Sequence, residues 1–451
     1  LAPNAVIFGG EDVRWCGNEA GGTRSTEWNV IPYQANPDTM SNFADMTDKD
    51  LGSREQLYKA KYLHYQQAET NTSIREGWFY RNDTHQKVRS TDDVFDIYER
   101  AVGGNSTFPP NRDGKFSPTD VAVLKETGQR IRETYGTDLF RQAKGPKEVL
   151  DQNADTYVTA DKDGAGIVIS TPQPVTLNRL VLQEAIATNG ERVERHAVDA
   201  WIDGGWKEIA HATNIGYKRI LRFPDVTTDK IRVRILESRL TPAICTISAH
   251  HYKARPPRLS AQRSMDGLVT IEPMAQEFGW KAHGENIAEN LNAGFKIYYT
   301  TDGTEPSAGS TEYKAPFLMG NSELKAVAIL NGEKGAILQE RFGLVKKGWK
   351  IADKTAQSLA IDLGSQQTVS GFAFTPQKQG GKGTVAGIIR ISNDGKNWKE
   401  VERFEFGNLI NDPSKRYHHF KQTVKARYVQ VEAAEIATRT EAAALAEIDI
   451  F

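Results

Sequence analysis

The sequence predicts a multidomain protein in which an α/β region precedes three β-rich domains. Within residues 1–138, segments with the apolar spacing of helices alternate with short strand-like runs, a pattern typical of a parallel sheet covered by helices. After about residue 140 this spacing ends, and short β-like runs follow one another with turn residues between them. The length of 451 residues leaves room for about three or four domains.

The first helix is predicted over residues 51–69, where large apolar residues recur at steps of seven, four and three. These residues are Leu51, Tyr58, Tyr62 and Tyr65. Short strand-like pieces are predicted at residues 77–81 and 103–108, on either side of the next helical segment. Strands and helices therefore alternate, as a parallel sheet requires.

Two further helices carry start and stop signals. Residues 90–102 begin with Ser90 or Thr91 as the N-cap, and two aspartates follow where the helix dipole favours negative charge. Residues 117–136 begin with a Pro-Thr-Asp sequence and end at Gly136 as a C-cap. The apolar face predicted for this helix consists of Val121, Leu124, Ile131 and Tyr135.

The β-rich part divides into three domains. We assign residues 139–254 to a β-sandwich and residues 255–345 to a small β domain that follows a proline-marked linker. Residues 346–451 form a second β-sandwich that weakly repeats the first. Asp-Gly pairs at 203–204 and 302–303 are turn signals between β-rich runs.

Composition excludes several classes of protein. The 57 Lys and Arg residues almost balance the 58 Asp and Glu residues, so no basic field marks nucleic acid as a main partner. No apolar run approaches the length of a membrane span. Only Cys16 and Cys245 are present, too few for a disulfide framework or a zinc knuckle. We expect Cys16 to be a small buried residue rather than a reactive thiol.

Four motifs in residues 1–138 occur in one order: "DVRWCGNEAG" (12–21), "GWFYR" (77–81), "DIYERAVGGN" (96–105) and "PPNRDGKFSP" (109–118). This order resembles the catalytic domain of glycoside hydrolase family 29 α-L-fucosidases, most closely the subfamily that acts on α-1,3/1,4-linked fucose. Farther along, "NRLVLQEAI" (178–186) and "SNDGKNW" (392–398) resemble coagulation-factor-5/8-type sandwiches. The run "YYTTDGTEP" (298–306) resembles the small β domain at the ends of chitobiases.

The resemblance implies a TIM-like (β/α) catalytic barrel of which residues 1–138 are only the second half. It also implies a retaining exo-α-L-fucosidase that works by double displacement, with an aspartate nucleophile on an earlier strand. We therefore expect this sequence to be part of a longer polypeptide whose nucleophile lies upstream. Asp203, in "WIDGG", is not a candidate because Asp203-Gly204 is predicted to be a hairpin turn inside the first sandwich.

Matched residue by residue, Glu19 of "RWCGNE" corresponds to the general acid/base of the subfamily. Glycines on both sides of Glu19 would let a carboxylate come close to a ligand. Trp15 and Trp28 would wall the site and raise the pKa of the acid by excluding water. Glu11 and Glu27 are the competing carboxylates in the same stretch. The alternative is that Glu19 is an ordinary surface carboxylate.

The other predicted substrate contacts also follow from the resemblance. Trp78 corresponds to the aromatic residue that packs against the fucose ring, although an aromatic residue in a strand is equally often part of the core. Arg14 would bind substrate hydroxyls or, as the alternative, pair with a neighbouring acid. Glu27 would contact the sugar next to fucose. The "PPNRDG" turn is predicted to be structural.

Catalysis would need no cofactor, and the resemblance allows a structural calcium ion in the β-sandwiches. The expected partner is a fucosylated oligosaccharide or glycan, and the expected location is secreted or periplasmic. A competing hypothesis is a non-catalytic carbohydrate-binding protein that uses its sandwiches to hold the glycan. The sequence leaves the exact linkage and the oligomeric state open.

Overall fold

The computed structural model describes residues 9–17, 21–44, 46–74, 88–108, 110–111, 117–159, 166–273, 294–375, 383–406, 415–437 and 447–451. These residues form two compact units. The first unit comprises residues 9–74 and 88–253, and the second comprises residues 254–273 together with the described residues from 294 onward.

The first unit begins with an α/β segment. Its elements are β1 (Val13–Arg14), β2 (Val30–Tyr33), α1 (Arg54–Leu57), β3 (Tyr62–Tyr65), β4 (Gln67–Ala68), β5 (Thr72–Ser73), α2 (Thr91–Ala101), β6 (Pro110–Asn111) and α3 (Pro118–Tyr135), with a 3₁₀ turn at Pro37–Thr39. β1 pairs with β4 and β5 pairs with β6, both in parallel, and a parallel bridge joins Glu69 to Thr107. Parallel strands with helices between them are what the sequence predicts for half of a barrel.

The chain from β4 to β5 runs between the other two parallel strands. The Gln67 amide donates to the Asp12 carbonyl at 2.9 Å, and the Thr107 amide donates to the Ala68 carbonyl at 2.8 Å. Successive residues of a strand direct their backbone groups to opposite sides. β1 and the 107–111 segment therefore flank the β4–β5 segment on its two edges.

Helices α2 and α3 confirm the predicted start signals. Ser90 caps α2 by accepting from the Asp93 amide at 3.1 Å, and Ser117 caps α3 by accepting from the Asp120 amide at 3.3 Å. The apolar face predicted for α3 is wrong, because Val121 is 45% exposed. The buried residues of α3 are Asp120, Thr127, Arg130 and Thr134. Ion pairing decides this orientation, since buried Arg130 pairs with Asp92 and lies over the Phe95 ring of α2.

The helix predicted over residues 51–69 is also wrong. Only Arg54–Leu57 is helical, and Tyr62–Tyr65 forms β3, which pairs antiparallel with β2. Tyr58 is 84% exposed and the tyrosines of β3 are partly exposed as well, so the spacing does not mark a buried face. Cross-strand pairing outweighed helix spacing because tyrosine is favourable in strands. The predicted strand at 77–81 lies outside the described residues, and residues 103–108 form a turn with isolated bridges.

The first β-sandwich completes this unit. Its elements are β7 (Val158–Thr159), β8 (Ile167–Glu184), α4 (Ile186–Asn189), β9 (Val193–Ile202), β10 (Gly205–Ala212), β11 (Arg219–Ser238) and β12 (Ala243–His250), after a 3₁₀ turn at Lys147–Val149. The strand order is β10-β9-β11-β8-β12-β7. Register shifts interrupt β8 and β11, and residues from both halves of each strand share one apolar core. The Asp203-Gly204 turn joins β9 to β10 with positive φ at both residues, as predicted.

The second unit is all β in its described residues. Its strands are β13 (Leu259–Arg263), β14 (Leu268–Pro273), β15 (Lys296–Thr300), β16 (Thr311–Glu312), β17 (Phe317–Leu318), β18 (Ser322–Leu330), β19 (Glu333–Lys334), β20 (Leu338–Phe342), β21 (Lys350–Lys354), β22 (Ser358–Phe374), β23 (Gly383–Ser392), β24 (Lys399–Glu405), β25 (Arg416–Ala437) and β26 (Ile448–Ile450). Strands β13 to β20 enclose a small core that includes Leu324 and Ala326. Strands β21 to β26 form one sheet around a separate core that includes Phe372 and Phe404.

The second unit thus contains two separate cores, and the predicted division into a small β domain at 255–345 and a second sandwich at 346–451 stays a prediction. Among the described residues, no helix has the length and apolarity needed to cross a membrane.

Candidate active site

The candidate site lies at the carboxyl end of the parallel strands. β1 leads into the "WCGNEAGG" stretch, β5 leads into the stretch with Trp78, and both strands pair in parallel within the α/β segment. In α/β barrels the loops after the strands build the active site. Glu19 and Trp78 themselves lie outside the described residues, so the site is built here from the side chains around them.

A buried ion pair closes the segment that contains Glu19. Arg14, at the end of β1, is 1% exposed, and its guanidinium donates to Glu27 Oε1 at 2.5 Å. The same group donates to the Gln66 carbonyl at 2.7 Å and to the Trp28 carbonyl at 2.8 Å. One side chain therefore ties the first and last residues of this segment together. This is the ion pairing that the sequence offered as the alternative for Arg14; its predicted substrate contact stays a prediction.

Glu27 is 5% exposed and faces two arginines. Burial raises the pKa of its carboxyl, and the neighbouring Arg14 and Arg24 guanidinium groups oppose that rise. Arg24 also donates to the Cys16 carbonyl at 3.2 Å and to the Thr47 carbonyl at 2.8 Å. The buried Glu27 carboxylate therefore binds two arginines of the same segment. Its predicted contact with the sugar next to fucose stays a prediction.

Cys16 is buried, as predicted. Its side chain is 3% exposed, and burial raises the pKa of its thiol, which favours the unreactive protonated form.

The two tryptophans of the segment differ in their surroundings. Trp28 is 6% exposed, and the Arg239 guanidinium lies 3.6 Å from its ring centroid. Gly52 packs directly on the same indole, where a Cβ atom would overlap the ring. Trp15 is only half-buried. Trp15 therefore has more surface available to a ligand than Trp28; the predicted role of both as walls of the sugar site stays a prediction.

Glu191 of the first sandwich, which the sequence did not single out, binds backbone and side-chain groups of the α/β segment. Glu191 accepts from the Asn29 amide at 2.9 Å, from the Val30 amide at 3.0 Å and from Asn105 Nδ2 at 2.7 Å. Burial raises the pKa of Glu191, and these hydrogen bonds oppose the rise. No local pattern marks Glu191 among 58 acidic residues, because its partners lie far away in the chain.

A second buried network joins α2 to the sandwich. Glu99 is 3% exposed and accepts from Arg179 Nε at 2.6 Å and from the Tyr135 hydroxyl at 2.6 Å. Arg222 donates to Asp96 at 2.8 Å and lies 3.4 Å from the Glu99 carboxylate. The α/β segment and the first sandwich are thus joined by ion pairs removed from water, which fixes their mutual position within this unit.

No cluster of three or more His, Cys, Asp or Glu side chains suited to a metal ion occurs in the part of the chain that the structure describes. The expected calcium ion in the sandwiches stays a prediction, since backbone carbonyls also bind calcium.

Comparison with known proteins shows what the chain is similar to. Residues 310–448 match the F5/8 type C domain, a range that starts within the predicted small β domain and covers most of the predicted second sandwich. Alpha-L-fucosidase 1 of Arabidopsis thaliana is 29% identical over 273 residues, 54% of this chain and 51% of the relative. A rice relative is similar to the same extent, so the chain spans about half the length of the curated relatives it matches.

Two solved structures cover nearly the whole chain. One, from Bacteroides ovatus ATCC 8483 and provisionally named an alpha-L-fucosidase, is 28% identical with a TM-score of 0.48 over 99% of this chain and 63% of that chain. The other, a glycoside hydrolase 29 family member from an unknown rumen bacterium, is 21% identical with a TM-score of 0.44 over 98% and 62%. The chain is similar to α-L-fucosidases over about half of its length, and its residues 310–448 match the F5/8 type C domain.

Proposed function

We propose that the protein is a retaining exo-α-L-fucosidase that releases α-1,3/1,4-linked L-fucose from oligosaccharides or glycoconjugates outside the cytoplasm. One observation carries the proposal. The segment that holds Glu19 follows the carboxyl end of a parallel strand, and the buried Arg14–Glu27 pair closes it. A closed segment at this edge of a barrel sheet is where an α/β-barrel enzyme carries its catalytic groups.

Hydrolysis with retention needs two carboxyl groups on opposite sides of the scissile bond. Glu19 is assigned the acid/base role. It donates a proton to the departing glycosidic oxygen, so that the aglycone leaves as an alcohol, and it then takes a proton from the water that cleaves the glycosyl-enzyme ester. The nucleophilic aspartate is not assigned to any residue of this sequence. The chemistry needs no cofactor.

The arginine-bound carboxylate of Glu27 is the weaker candidate for acid/base. Its Oε1 accepts from Arg14 and its Oε2 accepts from Arg24, so both oxygens are engaged inside the protein instead of facing a glycosidic oxygen. Trp78 is proposed to pack against the fucose ring because its segment follows a strand of the same parallel set.

The test compares two substrates in the full-length protein. One is a Lewis-type fucosyl trisaccharide, whose leaving group needs protonation, and the other is 4-nitrophenyl α-L-fucoside, whose leaving group does not. We expect the wild-type protein to release fucose from the trisaccharide and much less from the aryl fucoside. Glu19→Ala should lower trisaccharide turnover by about 10²–10⁴-fold and affect the aryl fucoside far less.

The matched control is Glu11→Ala, which removes an exposed carboxylate from the same stretch and should leave both rates unchanged. Unaltered trisaccharide turnover in Glu19→Ala would remove the acid/base assignment. Glycan binding without release of fucose from either substrate would favour the non-catalytic carbohydrate-binding protein.

A further inference from the structure

The loop between β10 and β11 of the first sandwich reaches into the α/β segment and holds the stretch that follows Glu19. Thr213 Oγ1 donates to the Ser25 carbonyl at 2.6 Å, and Asn214 Nδ2 donates to the Glu27 carbonyl at 2.5 Å. The two contacts join residues that are 188 and 187 positions apart in the chain. A β-sandwich therefore supplies part of the support for the candidate catalytic segment.

Asn214 is fixed on both ends of its amide. It is fully buried, and its Oδ1 accepts from Arg219 Nη2 at 2.6 Å while its backbone carbonyl accepts from Arg219 Nε at 2.7 Å. Because the guanidinium can only donate, the Asn214 amide must turn its nitrogen toward Glu27. His196 also contacts this loop, with its Nδ1 2.7 Å from the Thr213 carbonyl oxygen. Burial lowers the pKa of His196 to about 3, so the imidazole ring that makes this contact is neutral at neutral pH.

The Glu27 residue that Asn214 holds is the one that closes the segment. Its carbonyl accepts from Asn214 and from Asn105 Nδ2 at 2.9 Å, and its carboxylate binds Arg14 at the other end of the segment. A shift of Glu27 would therefore be passed to both ends of the stretch that contains Glu19. Displacement of a catalytic group by about 1 Å lowers turnover by as much as about 10²-fold.

We propose that Asn214, supported by Thr213, is a positioning residue for Glu19, so that the first sandwich is part of the catalytic apparatus rather than an appended binding module. This inference rests on the proposed fucosidase function. Asn214 touches no reacting atom in this scheme. It acts through Glu27 and the closed segment.

The test uses Asn214→Ala in the full-length protein, with Asn178→Ala as the matched control. Asn178 is a buried asparagine of the same sandwich whose amide nitrogen donates to Asp225 and to the Tyr252 carbonyl, both at 2.8 Å, and none of these groups touches the segment. Both variants lose buried hydrogen bonds. Only Asn214→Ala should lower kcat on the fucosyl trisaccharide by about 10–100-fold, with KM and the rate on 4-nitrophenyl α-L-fucoside changing little.

Thr213→Val provides a milder second variant should Asn214→Ala fail to fold. It keeps the side-chain shape, removes the bond to Ser25, and should shift the ratio of the two substrate rates in the same direction. An equal loss on both substrates, or an equal loss in Asn214→Ala and Asn178→Ala, would show a general stability effect and overturn the inference.

Hydrogen exchange of residues 15–29 separates this inference from the proposed function. We expect faster exchange there in Asn214→Ala than in Asn178→Ala. If the wild-type protein releases no fucose, the proposed function fails, while the exchange comparison still decides whether the sandwich holds this segment. Identical exchange in the two variants would overturn the anchoring itself.

Discussion

The Arg14–Glu27 pair allows a quantitative test of what closes the candidate catalytic segment. Arg14→Met keeps most of the side-chain length and removes the charge. It leaves the Glu27 carboxylate, 5% exposed, paired with Arg24 at 3.3 Å, and it removes one hydrogen bond each from the Gln66 and Trp28 carbonyls. Removing one member of a buried ion pair typically lowers the free energy of unfolding by about 3–5 kcal/mol.

The double-mutant cycle with Glu27→Gln isolates the coupling. With Arg14 already replaced, Glu27→Gln removes a buried charge that has lost its main partner, so the second change should cost much less than it does alone. We expect a coupling free energy of about 1–3 kcal/mol between the two positions. Because burial raises the pKa of Glu27 even with Arg14 present, Arg14→Met should also be less destabilising at pH 5 than at pH 8.

The assay is urea unfolding followed by tryptophan fluorescence. Trp28 is the neighbour of Glu27 and is buried, so unfolding of the first unit changes its emission. The transition of the first unit must be fitted separately, since a protein with two compact units need not unfold in one step. Effects that add to within about 0.5 kcal/mol would refute the reasoning, because independent residues behave in that way.

Two further predictions concern the supports of the same region. Gly216 has φ +61°, and a Cβ atom there would overlap the Asn105 amide, so Gly216→Ala should lower the free energy of unfolding by about 2–4 kcal/mol. Gly204→Ala, at φ +79° with open space around it, should lower the free energy of unfolding only by the cost of the strained backbone in the same urea assay. Equal losses in the two variants would contradict the packing argument. Burial raises the pKa of Glu184 from 4.5 to about 7. The native state then keeps a proton that the unfolded chain releases above pH 4.5, so this contribution to stability is complete below pH 4.5 and falls by about 3 kcal/mol as pH rises to 7. The stability of the wild type minus that of Glu184→Gln should decline across this window, and parallel curves would contradict the raised pKa.

Local signals in the sequence determined the elements whose causes are local. The starts of α2 and α3 follow from Ser90 and Ser117, because a cap bonds an amide three residues away. The Asp203-Gly204 hairpin follows from residues that tolerate positive φ. Spacing alone separated the α/β region from the β-rich remainder, and the candidate site after β1 stays a prediction from the motif order.

Tertiary contacts decided the rest. The run 51–69 became a hairpin strand because β2 was available to pair with Tyr62–Tyr65. Helix α3 buries the face that carries Arg130, because Arg130 pairs with Asp92 and lies over the Phe95 ring of α2. The support of the candidate site could not be read from the sequence, since Asn214 and Glu27 are 187 positions apart and come into contact only in the folded chain. Contacts at such separation depend on the path of the whole chain, and no short pattern of residues encodes them.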